Sequence, residues 1–415
     1  VRPRRLRNRV VRRVLARLLL ALLPQAIPAR AQDAASAERL FLTGLRPGAG
    51  PCRDCHARDG AGGREGAAIV PPIDSAALTR HTLDRPAYDR ASFARAVTEG
   101  RDAAGRPLAA LMPRYPLDGA QASALWDHLG ERRFVERRGV GPDAVVLGID
   151  ARAGADLAGA LGQAMRGILG EHGLVHGRRV VFTTVAAPLA DGPEAPLAVL
   201  FSPEAGAEAR AAGIPLLFPL LPVDDAARPD EVRALSASRR DQAAALLREA
   251  PPDAPILADA AGRRALPAAD LGRVVGLPPD PLPPESLPPD MVVIAETVDW
   301  PRLAAQAPAG GRIFALGPEI APSLGVLGRR GLRLVLTDPA AGPGVDGARP
   351  VRQRLALAAA RLLVDALVAA GRDLTRGSLM RGFADLRLGT PFWPNLDFAR
   401  YAVTGTRTVG IVRLE

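Results

Sequence analysis

Val145-Val146-Leu147-Gly148-Ile149 opens the stretch that decides the architecture. A short apolar run rich in β-branched residues, it reads as a strand buried on both faces. Behind it Leu157, Leu161, Met165 and Ile168 recur at spacings of three and four and line one face of a helix. Residues 180–185, Val-Val-Phe-Thr-Thr-Val, return as a second strand. Strand, helix and strand in succession is the unit of a parallel sheet, because parallel neighbours need a long crossover between them. The alternation continues. Residues 197–201, 214–218, 291–295, 313–316 and 332–336 read as strands, with helices near 204–212, 239–249 and 351–370. This pattern predicts sheets covered by helices on both faces, and the region 143–415 has room for two such lobes. No repeat that would mark a solenoid is visible.

Before this region Glu136-Arg137-Arg138-Gly139-Val140-Gly141-Pro142 reads as a linker, spanning 136–142, and the pattern ahead of it changes. Both cysteines of the chain stand there, as Cys52-Arg53-Asp54-Cys55-His56. C-x-x-C-H is the attachment signature of c-type haem. Two thiols three positions apart on one turn reach the two vinyl groups of one porphyrin, and the adjacent His56 is held against the iron as an axial ligand. A thioredoxin-like C-x-x-C is the rival; it needs a strand before and a helix after, whereas 48–51 and 60–66 read as loops. A zinc site needs more ligands than the chain's 5 His and 2 Cys readily supply. Two cysteines also exclude a disulfide-built scaffold.

Residues 32–135 resemble class I cytochrome c. The stretch 37–48, beginning Ala-Glu-Arg-Leu-Phe-Leu-Thr-Gly, is similar to the family's first helix and its glycine-rich approach to the haem. Gly60, Gly62, Gly63 and Pro71-Pro72 follow His56. The resemblance implies that the carbonyl of Pro71 or Pro72 accepts the axial histidine N–H and fixes its ring. After a helix at 92–100 come Gly105, Leu108 and Leu111-Met112-Pro113-Arg114-Tyr115, similar to the family's methionine loop. Met112 is then the sixth iron ligand. His81 and His128 are its competitors, each of which reads as an exposed surface histidine. The last helix, 118–131, carries Leu125, Trp126 and Leu129 on one face, with Asp118 as N-cap. By the resemblance it crosses the first helix and brings Trp126 near Leu40 or Phe41. One covalent haem c with His56 and Met112 as axial ligands implies one-electron transfer, with no open position on the iron.

Residues 143–415 resemble the type 1 periplasmic substrate-binding proteins of the branched-chain amino-acid group. The match lies in Leu363-Val364-Asp365-Ala366-Leu367, then Ala370-Gly371-Arg372-Asp373-Leu374-Thr375-Arg376 and Leu379, similar to a family helix–turn–helix. Residues 159–179 resemble the first helix and its exit to the second strand. Phe398 and Val409 fall where closing strands belong. The resemblance implies a ligand held at the N-terminus of a helix that follows a strand. Here that loop is Ser202-Pro203-Glu204, and Ser202 reads either as the ligand contact or as a plain N-cap. Glu204 puts negative charge in the first turn, which predicts weak binding of leucine, isoleucine or valine. The Pro-rich stretches 185–197 and 251–290 depart from the family and reshape the cleft wall. No P-loop, nucleophile elbow or HExxH motif is present, so no catalytic residue is predicted.

Composition then places the chain. Hydrophobic residues make up 48% and charged residues 24% of 415 residues, enough to build buried cores. Of the net charge of +10, nine positive charges are arginines of residues 1–31, which hold no Asp or Glu. The basic balance is therefore local, and nucleic-acid binding loses its support. Arg-rich start, short apolar run to Leu23 and Ala29-Arg30-Ala31 make residues 1–31 a secretory signal cleaved after Ala31. The alternative is an amphipathic basic helix on a membrane surface. No later stretch is long and apolar enough for a membrane span. The chain thus reads as multidomain and periplasmic: an all-α cytochrome c domain, then a two-lobed α/β binding-protein-like domain. Its expected work is electron transfer between a periplasmic dehydrogenase and the respiratory chain, with redox proteins as partners. The alternative is an ABC-transporter substrate-binding protein for amino acids or related small molecules, with an accessory cytochrome domain. A third reading is a non-catalytic subunit of a separate enzyme.

Overall fold

The computed structural model describes residues 29–44, 50–170, 173–186, 189, 191–203, 213–224, 227–276, 287–295, 298–342, 345 and 349–414. The signal sequence apart from its last three residues, the helix expected at 204–212, and Glu204 lie outside them. The chain divides into two compact units, residues 1–133 and 134–415.

The first unit is built on helices α1 (Ala29–Thr43), α2 (Cys52–His56), α3 (Ser75–Leu78), α4 (Arg90–Thr98) and α5 (Gly119–Glu136). Leu40 and Phe41 of α1 pack with Phe93 and Val97 of α4 and with Leu125 and Leu129 of α5. The helix starts are written in the sequence. Asp89 and Ser92 form a reciprocal capping box at α4. Asp118 Oδ1 accepts the Gln121 N–H at 2.8 Å while Gln121 Oε1 accepts the Asp118 N–H at 3.0 Å. The all-α expectation needs correction. Strands β1 (Gly63–Glu65) and β2 (Ala68–Val70) pair antiparallel, from Gly63↔Val70 to Glu65↔Ala68. Gly66, at φ +57, turns the two-residue loop between them, a conformation that hairpins favour and glycine adopts at no steric cost.

The second unit has two lobes. The first lobe holds a six-stranded sheet of β3 (Ala144–Asp150), β4 (Leu174–Val175), β5 (Arg178–Val185), β6 (Val199–Leu200), β7 (Leu216–Leu217) and β8 (Val232–Arg233), in the order β4-β5-β3-β6-β7-β8. β3 and β5 run parallel in register from Ala144↔Arg179 to Asp150↔Val185, and only β4 is antiparallel. Helix α6 (Ala155–Leu169) buries Leu157, Leu161, Ala164 and Met165 at helical spacing.

The second lobe holds β9 (Ile256–Ala258), β10 (Asp290–Ile294), β11 (Arg312–Ala315), β12 (Arg333–Asp338) and the closing strand β15 (Gly410–Leu414), in the order β15-β12-β11-β10-β9. Its helices are α7 (Arg239–Glu249), α8 (Ala260–Ala265), α9 (Trp300–Gln306), α10 (Gly317–Ile320) and α11 (Leu324–Gly328). Alternate strand residues face opposite cores. Met291 and Val293 pack with Trp300 and Leu303, whereas Val292 and Ile294 pack with Ala243 and Leu246. The sheet is therefore covered on both sides, as alternating strands and helices predict. The chain returns to the first lobe through α12 (Val351–Ala370) and α13 (Arg376–Gly382), followed by the hairpin of β13 (Arg387–Thr390) and β14 (Trp393–Asp397).

The motif that ends α12 is physically legible. Gly371, at φ +79, caps the helix, Thr375 and Ser378 make a capping box for α13, and Leu374 and Leu379 are buried. The fully buried Arg376 clamps both oxygens of Asp191, at 2.9 and 3.1 Å. Where the sequence reading overran, the backbone explains it. The runs 197–201 and 214–218 pair only through Val199–Leu200 and Leu216–Leu217, because Phe201 and Phe218 turn out of the sheet at φ +60 and +57. Phe398 and Val409 stand just outside β14 and β15.

Helix packing makes one glycine obligatory. A Cβ at Gly382 would lie 2.3 Å from the Ala366 carbonyl oxygen, whereas one at Gly159, inside α6, meets nothing within 4 Å. Gly382→Ala is expected to destabilise the second unit by about 1–3 kcal/mol, and Gly159→Ala to stabilise it by about 0.5–1 kcal/mol. Thermal unfolding of the two variants checks this, and equal shifts would contradict the packing described.

Candidate haem-attachment site and interlobe cleft

In the first unit, Cys52, Cys55 and His56 share the single turn of α2, with Pro51 at its N-cap. Neither thiol is in a disulfide. Burial pushes the Cys52 thiol up to about 11, and burial also raises the half-buried Cys55, so both are protonated at neutral pH. His56 Nδ1 lies 2.8 Å from the Pro71 carbonyl oxygen. A carbonyl only accepts, so Nδ1 carries the proton and Nε2 keeps its lone pair. Burial lowers the His56 pKa, against the opposing pull of Pro71. Of the two prolines, Pro71 makes this contact.

The glycines after the motif bring that carbonyl into place. Gly62 N–H donates to His56 O at 2.9 Å, and Ile73 N–H donates to Gly60 O at 2.7 Å. A Cβ at Gly62 (φ +76) would lie 2.4 Å from Val70 O and 2.8 Å from Pro71 C. Only glycine lets the two backbones approach this closely.

The donor set fits a c-type haem: two reduced thiols on one turn beside an imidazole whose Nε2 is oriented by its second nitrogen. Among the described residues no three His, Cys, Asp or Glu side chains converge as metal ligands, so zinc finds no set. Met112 is half-buried against the same core as Leu40 and Phe41. Its loop is held by Arg114, whose guanidinium donates to Met112 O and Leu108 O and lies over Gly100. His81 is exposed.

His128 and Trp126 differ from their sequence readings. His128 is half-buried, 5.5 Å from the Phe41 ring, because it shares the α1-facing side of α5 with Leu125 and Leu129. Trp126 instead meets Phe93, edge to face at 5.3 Å. Burial, aided by the Arg132 charge, pushes the His128 pKa down to about 4, and its Nε2 has no hydrogen-bond partner.

In the second unit, segments 234–238 and 398–409 cross between the lobes, and a third crossing follows β12. Strands β8 and β12 run straight into two of them, so the carboxyl edges of both parallel sheets lie at the crossings. In open α/β sheets that edge is where ligands bind. At the end of β3 the buried Asp150 accepts from Arg152 N at 2.9 Å, Nε at 3.0 Å and Nη2 at 2.7 Å. Burial alone would raise its carboxyl; these bonds and the Ser202 hydroxyl outweigh it and hold it below the usual carboxylate range. Ser202 is thus engaged with Asp150. Phe201, Phe218, Phe383 and Phe398 form a buried ring series with centroids 6.4, 5.9 and 5.7 Å apart. Arg233 lies beneath the last two, its guanidinium pushed down to about 10 by burial. Arg239, fully buried, forms an ion pair with Glu319 at 2.9 Å and with Asp224 at 3.4 Å. Ser236, 7% exposed in the first crossing, has an Oγ with no hydrogen-bond partner.

Sequence reasoning passed over Asp150, Ser236 and Tyr115. A charge closing a buried apolar strand was a readable signal for Asp150. Nothing local marks Ser236 or Tyr115, whose surroundings come from distant segments.

No protein-family model matches the chain, and no curated protein is similar to it. Solved structures are similar over about two thirds of it. A fatty acid ABC transporter substrate-binding protein from Thermomonospora curvata is 16% identical at a TM-score of 0.49, covering 67% of this chain and 90% of that one. A leucine binding protein from Thermotoga maritima is 14% identical at 0.45, covering 65% and 98%. An ABC transporter solute binding protein from R. palustris, in complex with 4-hydroxybenzoate, is 15% identical at 0.44, covering 66% and 93%. The expectation that the chain is first of all an electron carrier working between redox proteins is corrected here. The two-lobed α/β unit, with its two largely parallel sheets, takes up residues 134–415, the greater part of the chain. Among the described residues no helix is long and apolar enough to cross a membrane.

The His128 site sets a pH dependence. Its folded pKa is depressed, so the neutral ring is favoured in the fold. The associated stability is full above about 6.5 and is lost as pH falls toward about 4. Urea unfolding followed by Trp126 fluorescence should show a loss on the order of 2 kcal/mol between pH 7.5 and 4.5. His128→Leu should shrink that loss; an unchanged loss would remove His128 as its cause.

Proposed function

We propose that the chain is a substrate-binding protein of the two-lobed type 1 periplasmic kind, exported by residues 1–31 with cleavage after Ala31. It takes an amino acid or a related small molecule for an ABC-type permease. The observation that carries this reading is the meeting of both sheets' carboxyl edges at the crossings between the lobes. Within that region Ser236 offers the uncommitted polar contact. A buried hydroxyl without a partner costs about 1–3 kcal/mol, and a ligand group that completes it recovers much of this. Ser202 is the weaker contact because its hydroxyl already serves Asp150. The expectation against branched-chain amino acids rested on Glu204, which lies outside the described residues, and on the Pro-rich stretches that reshape the cleft wall.

The first unit is accessory in this reading. Cys52, Cys55, His56 and Met112 would be the residues that hold one haem c, with the Pro71 carbonyl steadying His56. Such a group would supply a redox-active iron. The chain's own residues orient the imidazole and keep both thiols protonated at neutral pH.

Calorimetric titration of the full chain with the proteinogenic amino acids and small carboxylic acids tests the main reading. Saturable binding with Kd near 1 μM, about −8 kcal/mol, is expected for at least one, weakened about five-fold or more by Ser236→Ala. Absence of binding across the set would sink it. For the accessory unit, haem should survive acid–acetone extraction of the denatured protein. Cys52→Ser or Cys55→Ser should weaken that retention, and complete extraction from the unaltered protein would refute haem attachment.

A further inference from the structure

Among the described residues of the second unit, the almost wholly buried arginines are Arg233, Arg239, Arg354 and Arg376. A guanidinium carries five N–H donors and a permanent charge, so its burial calls for partners. Arg376 has Asp191, and Arg239 has Glu319 and Asp224. Arg233 has the carbonyls of Ala402 and Met380 and two aromatic faces. Arg354 differs. Its one hydrogen bond runs from Nη1 to Ala340 O at 2.7 Å, and among the described residues it forms no ion pair. Its Nε is buried without a partner. Asp338, two positions before Ala340, accepts the Ala340 N–H at 2.8 Å instead.

The place is the one where both sheets end. Arg354 begins the second turn of α12, and its bond reaches the segment that follows β12. Two residues earlier, Arg352 Nη1 donates to Ala153 O at 2.7 Å, just after β3, and to Asp156 Oδ1 at 2.8 Å. The start of α12 therefore touches the carboxyl edge of each sheet. The helix is 20 residues long, begins at Pro350 without a side-chain cap and has no acid in its first turn. No carboxylate of its own thus answers its positive end. Val351, Arg352 and Gln353 are exposed, so the turn is open to solvent. In a guanidinium the Nε–H and an Nη2–H point the same way and match the two oxygens of a carboxylate. In Arg354 that edge makes no bond, since only Nη1 is engaged.

We propose that Arg354 is the anion contact of the cleft, taking the carboxylate of a small-molecule ligand through Nε and Nη2. The inference rests on the binding-protein reading above and names the ligand group that reading leaves open. A buried donor without a partner burdens the empty protein, and a carboxylate that completes it recovers that burden as affinity. The N-terminus of α12 adds a field of the same sign. Bonds to a charged acceptor are the stronger ones, so the site favours a carboxylate over the neutral amide of the same skeleton.

The test is calorimetric titration of the full chain with the proteinogenic amino acids, propanoate, lactate and benzoate, each beside its primary amide. A carboxylate that binds should do so about ten-fold or more tighter than its amide. Arg354→Met should weaken that carboxylate about ten-fold or more and leave the amide unmoved. Amino acids set against the simple acids show which of them supplies the carboxylate. Thermal unfolding without ligand separates recognition from folding. Arg354→Met should unfold within about 2 °C of the unaltered chain, whereas Arg376→Met, which breaks the pair with Asp191, should unfold about 5 °C or more below it. An amide that binds as tightly as its carboxylate, or carboxylate binding unchanged by Arg354→Met, overturns the assignment and leaves the binding-protein reading standing. So does an unfolding loss in Arg354→Met as large as in Arg376→Met, the mark of a purely structural arginine. Binding of neither carboxylates nor amides overturns the binding-protein reading itself, and the assignment falls with it.

Discussion

Gln242 stands at the point where the chain passes between the lobes of the second unit, and its buried amide ties that passage together. Its Nε2 donates to Ala237 O at 2.9 Å in the first crossing. Its Oε1 accepts the Thr337 hydroxyl at 2.8 Å, and Thr337 Oγ1 in turn accepts the Gly317 N–H at 3.0 Å. The series links the exit of β8, the end of β12 and the start of α10. Ala237, Gln242 and Thr337 are buried and satisfied, so loss of any one strands its neighbour at a cost of about 1–3 kcal/mol. Gly317 is bound into the same place, for a Cβ there would lie 2.0 Å from Thr337 O. The carboxyl edges of the sheets are consequently held at the crossings by specific polar contacts, and the groups at those edges inherit their positions from them.

A similar economy governs the first unit, where backbone approach rather than side-chain bulk sets the geometry. Gly62 lets the Val70–Pro71 backbone close on the loop after α2, and that closure delivers the Pro71 carbonyl to His56. A donor at Nδ1 leaves only Nε2 for a metal, so a glycine that touches no ligand decides which histidine nitrogen is offered. At the other end of the site Arg114 can lie over residue 100 only because that residue is glycine at φ +71. The methionine loop therefore takes its shape from Arg114 bonds to its own carbonyls.

Local signals read well from sequence, and distant pairings did not. The strand 145–149, the helical stripe from Leu157 to Met165 and the Gly371–Thr375 turn are each decided by neighbours within a few residues, and each is in the structure. The two-residue strand β8 carries Arg233, whose guanidinium is buried against Phe383 and Phe398 and donates to Met380 O at 2.5 Å. No propensity rule places an arginine inside a sheet; its partners come from segments nearly 150 positions away. The thiol pair and His56 were picked out by their spacing, whereas Tyr115 meets Gly50 only once the chain has folded. His128 misled because its hydrophilic identity outweighed its register with Leu125 and Leu129.

The chemistry at the first lobe's carboxyl edge also limits what can bind there. Asp150 takes three hydrogen bonds from Arg152 and one from Ser202, so the pair is close to neutral and largely satisfied. A carboxylate approaching Ser202 meets a hydroxyl already committed and a carboxylate beside it, in a region where low dielectric strengthens the repulsion. Ser236 carries no such charge next to it in the chain, being flanked by Leu235 and Ala237, and its hydroxyl can donate or accept. In the proposed reading, polar recognition moves from the strand-to-helix loop, where the resemblance placed it, to the crossing itself. The Gln242–Thr337 series ties the end of the first crossing, at Ala237, to the end of β12, so a group held at the crossing contacts a segment anchored to the second lobe. A contact at Ser202, by contrast, would touch the first lobe alone.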